Sequence, residues 1–183
     1  RTPHGRLNRE LHRLMFGRPF TAGPAHRVLV LFGSDRISYA SAYPFLAEAE
    51  SFLDTHDAQV RLFPVARALR SGLPRGLAEP THVVAQAWLT DPPERHAALA
   101  RLLDRLPQGT VRAFLDTFSN CDIRLAARLP GLDLYFKKSL FVDRSAFLRP
   151  TYGHTNLTEY YGRLYGLPDE MTDWQVPADA LPR

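Results

Sequence analysis

The chain is predicted to fold as an α/β three-layer Rossmann-like sandwich around a mainly parallel five-stranded sheet. Three observations lead there. The run "HRVLVLFGS", His26–Ser34, is almost continuously apolar and ends in Gly, as a strand buried on both faces requires. Four more strand-like runs follow, separated by helical apolar spacing or by turn residues, and such alternation implies parallel pairing through right-handed crossovers. The composition, 45% hydrophobic and 23% charged over 183 residues, suits one soluble domain with tails. A domain of this size buries roughly 70% of its unfolded surface and needs no disulfide or metal staple.

The elements are expected in this order. Residues 1–25 form a basic lead-in, with a short helix around Leu7–Met15 before Gly17, Pro19, Gly23 and Pro24 break the pattern. After the first strand, Phe45, Leu46, Ala49, Phe52 and Leu53 stand at helical spacing within Ala42–His56. Ala58–Val65 is the second strand, Arg70–Pro80 a Pro/Gly-rich connection and Thr81–Thr90 the third strand. Pro92 and Pro93 open a helix, at positions where a missing N–H is harmless. Gly109–Thr117 is the fourth strand, "CDIRLAARL" a short helix and Leu132–Phe141 the fifth strand. The Rossmann-like domain thus spans 26–150. Residues 151–183 read as a Tyr-rich helix and a C-terminal tail or linker: Asn156 with Glu159 makes a capping box, so the helix starts near Leu157, and Gly166 then Pro168 end it.

Charge and motifs exclude several classes. The net charge is +4, but the arginines are interspersed with Asp and Glu, so no nucleic-acid footprint stands out; an anionic small molecule or a peripheral membrane contact stays open. The longest apolar run is far too short to span a bilayer. Cys121 is the single cysteine, which excludes an internal disulfide and fits a reducing compartment. No signal peptide is visible, and the chain starts at Arg1 without a Met, so the true N-terminus is expected upstream. There is no G-x-G-x-x-G, P-loop, G-x-S-x-G, H-E-x-x-H or Asp-x-Asp pattern. No metal and no cofactor are therefore expected.

In open parallel sheets, ligands bind beyond the carboxyl ends of the strands. Gly33, Ser34, Asp35 and Arg36 follow the first strand, and Gly33-Ser34 offers backbone N–H groups to an anion unless the glycine merely ends the strand. Asp91 follows the third strand. Asp116, Thr117, Ser119 and Asn120 follow the fourth, with Asp122 as a cap for the next helix. His154 has the near-neutral pKa that suits proton transfer, though a lone histidine is more often an ordinary loop residue. After the fifth strand stand Lys137 and Lys138, the only lysines among 23 Lys and Arg. Side chains alternate along a strand, so the two cannot both serve one pocket. Lys137 shares a face with Tyr135 and is the one expected in the ligand crevice.

The stretch Asp116–Leu167 resembles one found in bacterial glycosyltransferase-like proteins. An aspartate-rich loop precedes "D-x-Y-x-K-K-x-L-x-x-D-R", here Asp133, Tyr135, Lys137, Lys138, Leu140, Asp143 and Arg144; "N-L-T-x-Y-Y" follows, here Asn156, Leu157, Thr158, Tyr160 and Tyr161. The resemblance implies the N-terminal, acceptor-side Rossmann-like domain of a GT-B type enzyme of cell-surface polysaccharide synthesis. Such an enzyme is metal-independent and cytoplasmic, at the inner face of the membrane. Its partners would be a nucleotide-sugar donor, a glycan acceptor and a second Rossmann-like domain in a longer chain. Asp35, Asp116 and His154 are then the candidate bases. Gly33, Ser34, Arg36, Ser119, Asn120, Lys137, Lys138, Asp143, Arg144 and Asn156 are the candidate substrate contacts. Two alternatives remain. Asp35, Asp91, Thr117 and Lys137 loosely mimic a receiver module, without its paired acids or the Pro after its lysine. The Tyr-rich segment also fits a non-catalytic interaction module.

Overall fold

The computed structural model describes residues 16–118, 121–151, 156–167 and 174–181. The Leu7–Met15 helix, Ser119, Asn120, His154 and Pro168 lie outside them. Five strands, β1 (His26–Phe32), β2 (Ala58–Pro64), β3 (His82–Ala85), β4 (Val111–Asp116) and β5 (Leu134–Lys137), form one sheet in the order β2-β1-β3-β4-β5. Every pairing is parallel. Helices lie on both faces, so the α/β Rossmann-like class expected from the sequence is the one observed.

The strand order explains where the helices go. From β1 to β2 the chain moves one way along the sheet, and from β2 through β3 and β4 to β5 it moves the other. Crossovers of one hand place helices on opposite faces when the direction reverses. Accordingly α1 (Arg36–Ala47) and α2 (Ala49–His56) pack over β1 and β2 with Val30, Phe32, Val60 and Leu62. On the other face, α3 (Val65–Ser71), α4 (Pro93–Asp104) and α5 (Arg124–Arg128) cover Leu29, Leu31, Val83, Phe114 and Tyr135. The reversal point lies between β1 and β3.

Several boundaries differ from the sequence-based expectation. Asp35 starts the first helix six residues earlier than apolar spacing indicates. Its Oδ1 accepts the N–H groups of Ile37 (3.1 Å) and Ser38 (2.9 Å), while the first turn is too exposed to show a pattern. The helix then breaks at Glu48, downstream of Pro44, which withholds one helical N–H. β3 ends at Ala85, not Thr90, because Asp91 captures the Trp88 N–H at 2.9 Å and turns the chain out of the sheet. β4 and β5 are likewise shorter than expected. The connection after β2 contains α3, whose Val65 and Ala68 are buried. Asp122 does not occupy the N-cap of α5, which is Ile123; it accepts from the Arg124 N–H (2.9 Å) and pairs with the Arg124 guanidinium (2.7 Å).

The segments flanking the sheet are anchored. Thr21 exchanges hydrogen bonds with the Gln59 side chain (both 2.8 Å), and Arg61 donates to the Pro19 carbonyl, so the lead-in straps the β2 edge. Near the C-terminus Trp174 and Val176 are buried in the larger core cluster, where an extended tail was expected. Trp174 pairs with Thr151 (2.8 and 3.0 Å) and stacks on Phe141. Helix α6 (Asn156–Tyr165) ends at Gly166, which takes the left-handed conformation (φ 58°) that favours glycine.

Candidate functional site

The carboxyl ends of the strands are joined by a chain of contacts centred on Asp116. This residue ends β4, is buried, and sits beside Lys137 in the β4–β5 register. Its Oδ2 accepts the Tyr135 hydroxyl at 2.6 Å and lies 3.0 Å from the Lys137 Nζ, while its Oδ1 accepts the Phe118 N–H at 3.0 Å. Lys137 also donates to the Phe118 carbonyl (3.1 Å), and its side chain is wholly buried. Burial, the charge of Asp116 and the hydrogen bond to it, and the charge of Asp122 push the Tyr135 phenol well above its ordinary value.

Phe118 connects this cluster to the reversal point. Its ring meets Trp88 edge-on at 5.4 Å and lies 5.9 Å from the Lys137 Nζ. The Trp88 indole donates to Asp35 Oδ2 at 2.8 Å. Desolvation works against the Asp35 charge, but hydrogen bonds from the Ser38 side chain and backbone and from the Trp88 indole outweigh it and hold the carboxyl below its ordinary value. Behind Asp35, the Gly33 N–H donates to Oε1 of buried Gln86 at 3.2 Å. A Cβ at Gly33 would lie 2.6 Å from the Ser38 hydroxyl and 2.8 Å from Asp35 Oδ2, so this glycine is required by close packing. The Gly33 N–H is thus already engaged and is not the anion donor the sequence suggested.

The two lysines differ in burial as alternation requires, but both border one cleft, where the sequence reading expected only one of them to do so. Lys137 shares its face with Tyr135, and its buried ammonium is paired with Asp116 at the floor of the cleft. Lys138 is exposed, and both lysines border an open cleft of about 430 Å³ with Ile37, Ser41, Leu115, Asp116, Thr117 and Phe136. The other candidates fall around this floor. Ser34 and Arg36 are exposed at the start of α1. Asp143 caps a short 3-10 helix, Arg144–Leu148; hydrogen bonds from the Ser145 hydroxyl (2.7 Å) and N–H (2.9 Å) hold its carboxyl below the ordinary value. Arg144 is exposed and makes no ion pair among the described residues. Asn156 is the first residue of α6. Asp91 is bound to Trp88 and Arg95, five residues beyond the next position after β3, which holds Gln86.

Sequence reasoning missed Gln86, Trp88, Phe118 and Tyr135. Only the tertiary structure brings these four to one end of the sheet, although Tyr135 sits in the motif itself. Of the proposed bases, Asp35 and Asp116 have their carboxylate oxygens engaged in holding loops and strands together. No group of three or more His, Cys, Asp or Glu among the described residues could hold a metal ion. No helix among them is long and apolar enough to cross a membrane. Compared with known proteins, the chain matches no family model, no curated protein and no solved structure.

Proposed function

We propose that this chain is the acceptor-side domain of a bacterial glycosyltransferase of cell-surface polysaccharide synthesis. It would bind a glycan acceptor while a second Rossmann-like domain holds the nucleotide-sugar. The observation that carries the reading is the make-up of the cleft at the carboxyl ends of β4 and β5. Phe136 and Ile37 give an apolar platform of the kind on which the C–H face of a sugar ring stacks. Ser41 and Thr117 supply hydroxyls, and Lys138 supplies one mobile cation. Its volume falls within the range of small-molecule sites, roughly 300–1,000 Å³. The segment that resembles glycosyltransferase-like proteins, Asp133 to Arg144, runs through the same strand exit.

The chemistry divides accordingly. Asp116, Tyr135 and Lys137 form a fixed floor, and Lys138 with Arg144 is suited to a phosphate or an acidic sugar. Because Asp35 and Asp116 are engaged, a base for the acceptor hydroxyl would come from His154 or from the second domain. A receiver reading is less well supported, because Gln86 stands at the exit of β3 where a phosphoacceptor carboxylate is needed.

NMR titration of the chain with an acidic oligosaccharide tests the proposal. Shifts should concentrate in residues 34–41, 115–118 and 136–144, and Lys138→Gln should weaken them while leaving stability unchanged. Shifts confined to the amino end of the sheet, around His26 and His82, would refute it.

A further inference from the structure

The crossover pattern leaves half of one sheet face bare. Among the described residues only α1 and α2 lie on that face, over β2 and β1. Over β3, β4 and β5 it carries Val84, Ala113, Leu115, Leu134 and Phe136, with Phe45 and Phe52 forming one wall of a groove of about 540 Å³. Leu134 is 43% and Phe136 51% exposed, and no Lys, Arg, Asp or Glu lines the groove. Exposed Leu134 and Phe136 beside half-buried Val84 and Leu115 make an apolar surface unusual on a parallel sheet.

The same chain presents a second bare apolar surface of matching size. In α6, Leu157, Tyr160, Tyr161, Leu164 and Tyr165 stand at i, i+3, i+4, i+7 and i+8, and all five are exposed. On the polar side of the helix Arg163 donates to the Pro150 carbonyl (3.3 Å) and pairs with Glu159 (3.2 Å). Pro150 precedes Thr151, which Trp174 holds at the opposite sheet face, among the core residues there. The five apolar side chains are exposed, and none of them lines the groove of their own chain.

We propose that two copies of this chain pair by reciprocal docking, α6 of each lying on the β3–β5 face of the other; because Leu115 and Phe136 border both this groove and the cleft described above, pairing and acceptor binding would exclude each other. A ten-residue helix is about 15 Å long, and three strands span about 10–15 Å, so the lengths agree. A twofold axis makes the contact twice. Ten large apolar side chains from the two helices, with the sheet faces beneath them, bury on the order of 1,500–2,000 Å², which is the size of a stable interface.

Light scattering coupled to gel filtration tests this on the full chain. The chain should run as a dimer at low micromolar concentration, and Leu164→Glu on the helix and Leu134→Glu in the groove should each give a monomer with unchanged circular dichroism. Mixing a chain carrying Tyr161→Cys with a separately tagged chain carrying Leu134→Cys should give a disulfide-linked heterodimer on oxidation. A monomer at every concentration overturns the proposal. So does a dimer that survives Leu164→Glu, a substitution on an exposed helix surface that should not disturb folding. A chain carrying both cysteines that closes on itself as a monomer would show the helix covering its own groove, which also overturns it.

Discussion

The Lys137 ammonium lies 3.0 Å from Asp116 Oδ2, and both side chains are cut off from solvent. Removing one partner of such a pair strands the other charge, which costs about 3–5 kcal/mol. Asp116→Ala is therefore expected to lower the melting temperature by roughly 6–20 °C, taking ~2–4 °C per kcal/mol for a domain of this size. The double variant Asp116→Asn with Lys137→Met should lose clearly less than the sum of the two single losses. Strict additivity in denaturant titrations would show that the pair is not energetically coupled.

Tyr135 should resist ionisation. Its phenol is raised in the folded chain, so its contribution to stability is complete below the unfolded value of about pH 10 and is lost as pH rises beyond it. In alkaline absorbance titration the native chain should show one phenolate fewer than the unfolded chain, which has seven tyrosines. Tyr135→Phe should leave the native amplitude unchanged and lower the unfolded amplitude by one. A native amplitude that falls with this substitution would contradict the assignment.

Asp35 makes the opposite contribution at the acid end. Its folded value is depressed, so the stabilisation is present above the unfolded value near pH 4 and is lost as pH falls through the folded value. Asp35→Asn should be less stable than the parent at neutral pH, and the gap should narrow as pH falls below the unfolded value of about 4. Equal gaps above and below that value would show that the charge contributes nothing.

Gly33 has no room for a methyl group. Gly33→Ala pushes a Cβ against Ser38 and Asp35, and overpacking of this kind costs about 1–3 kcal/mol. The urea midpoint should fall with an unchanged slope. A stability equal to the parent would mean that the first turn of α1 yields easily.

The sequence alone determined the class of fold, because strands buried on both faces read as unbroken apolar runs and "PPE" marks a helix start by local chemistry. It also determined that Lys137 and Lys138 must part company, since alternation is a property of any strand. It did not determine which lysine is buried. That depended on the register that sets Asp116 beside Lys137, and on Tyr135 reaching the same carboxylate. Helix α3 escaped detection because seven residues with a Pro/Gly-rich sequel carry too little periodicity. The burial of Trp174 and Val176 was equally hidden, for a tail packs where the core has space, and no local pattern records that space. The bare face over β3–β5 follows from strand order, which is set by long-range pairing rather than by any one segment.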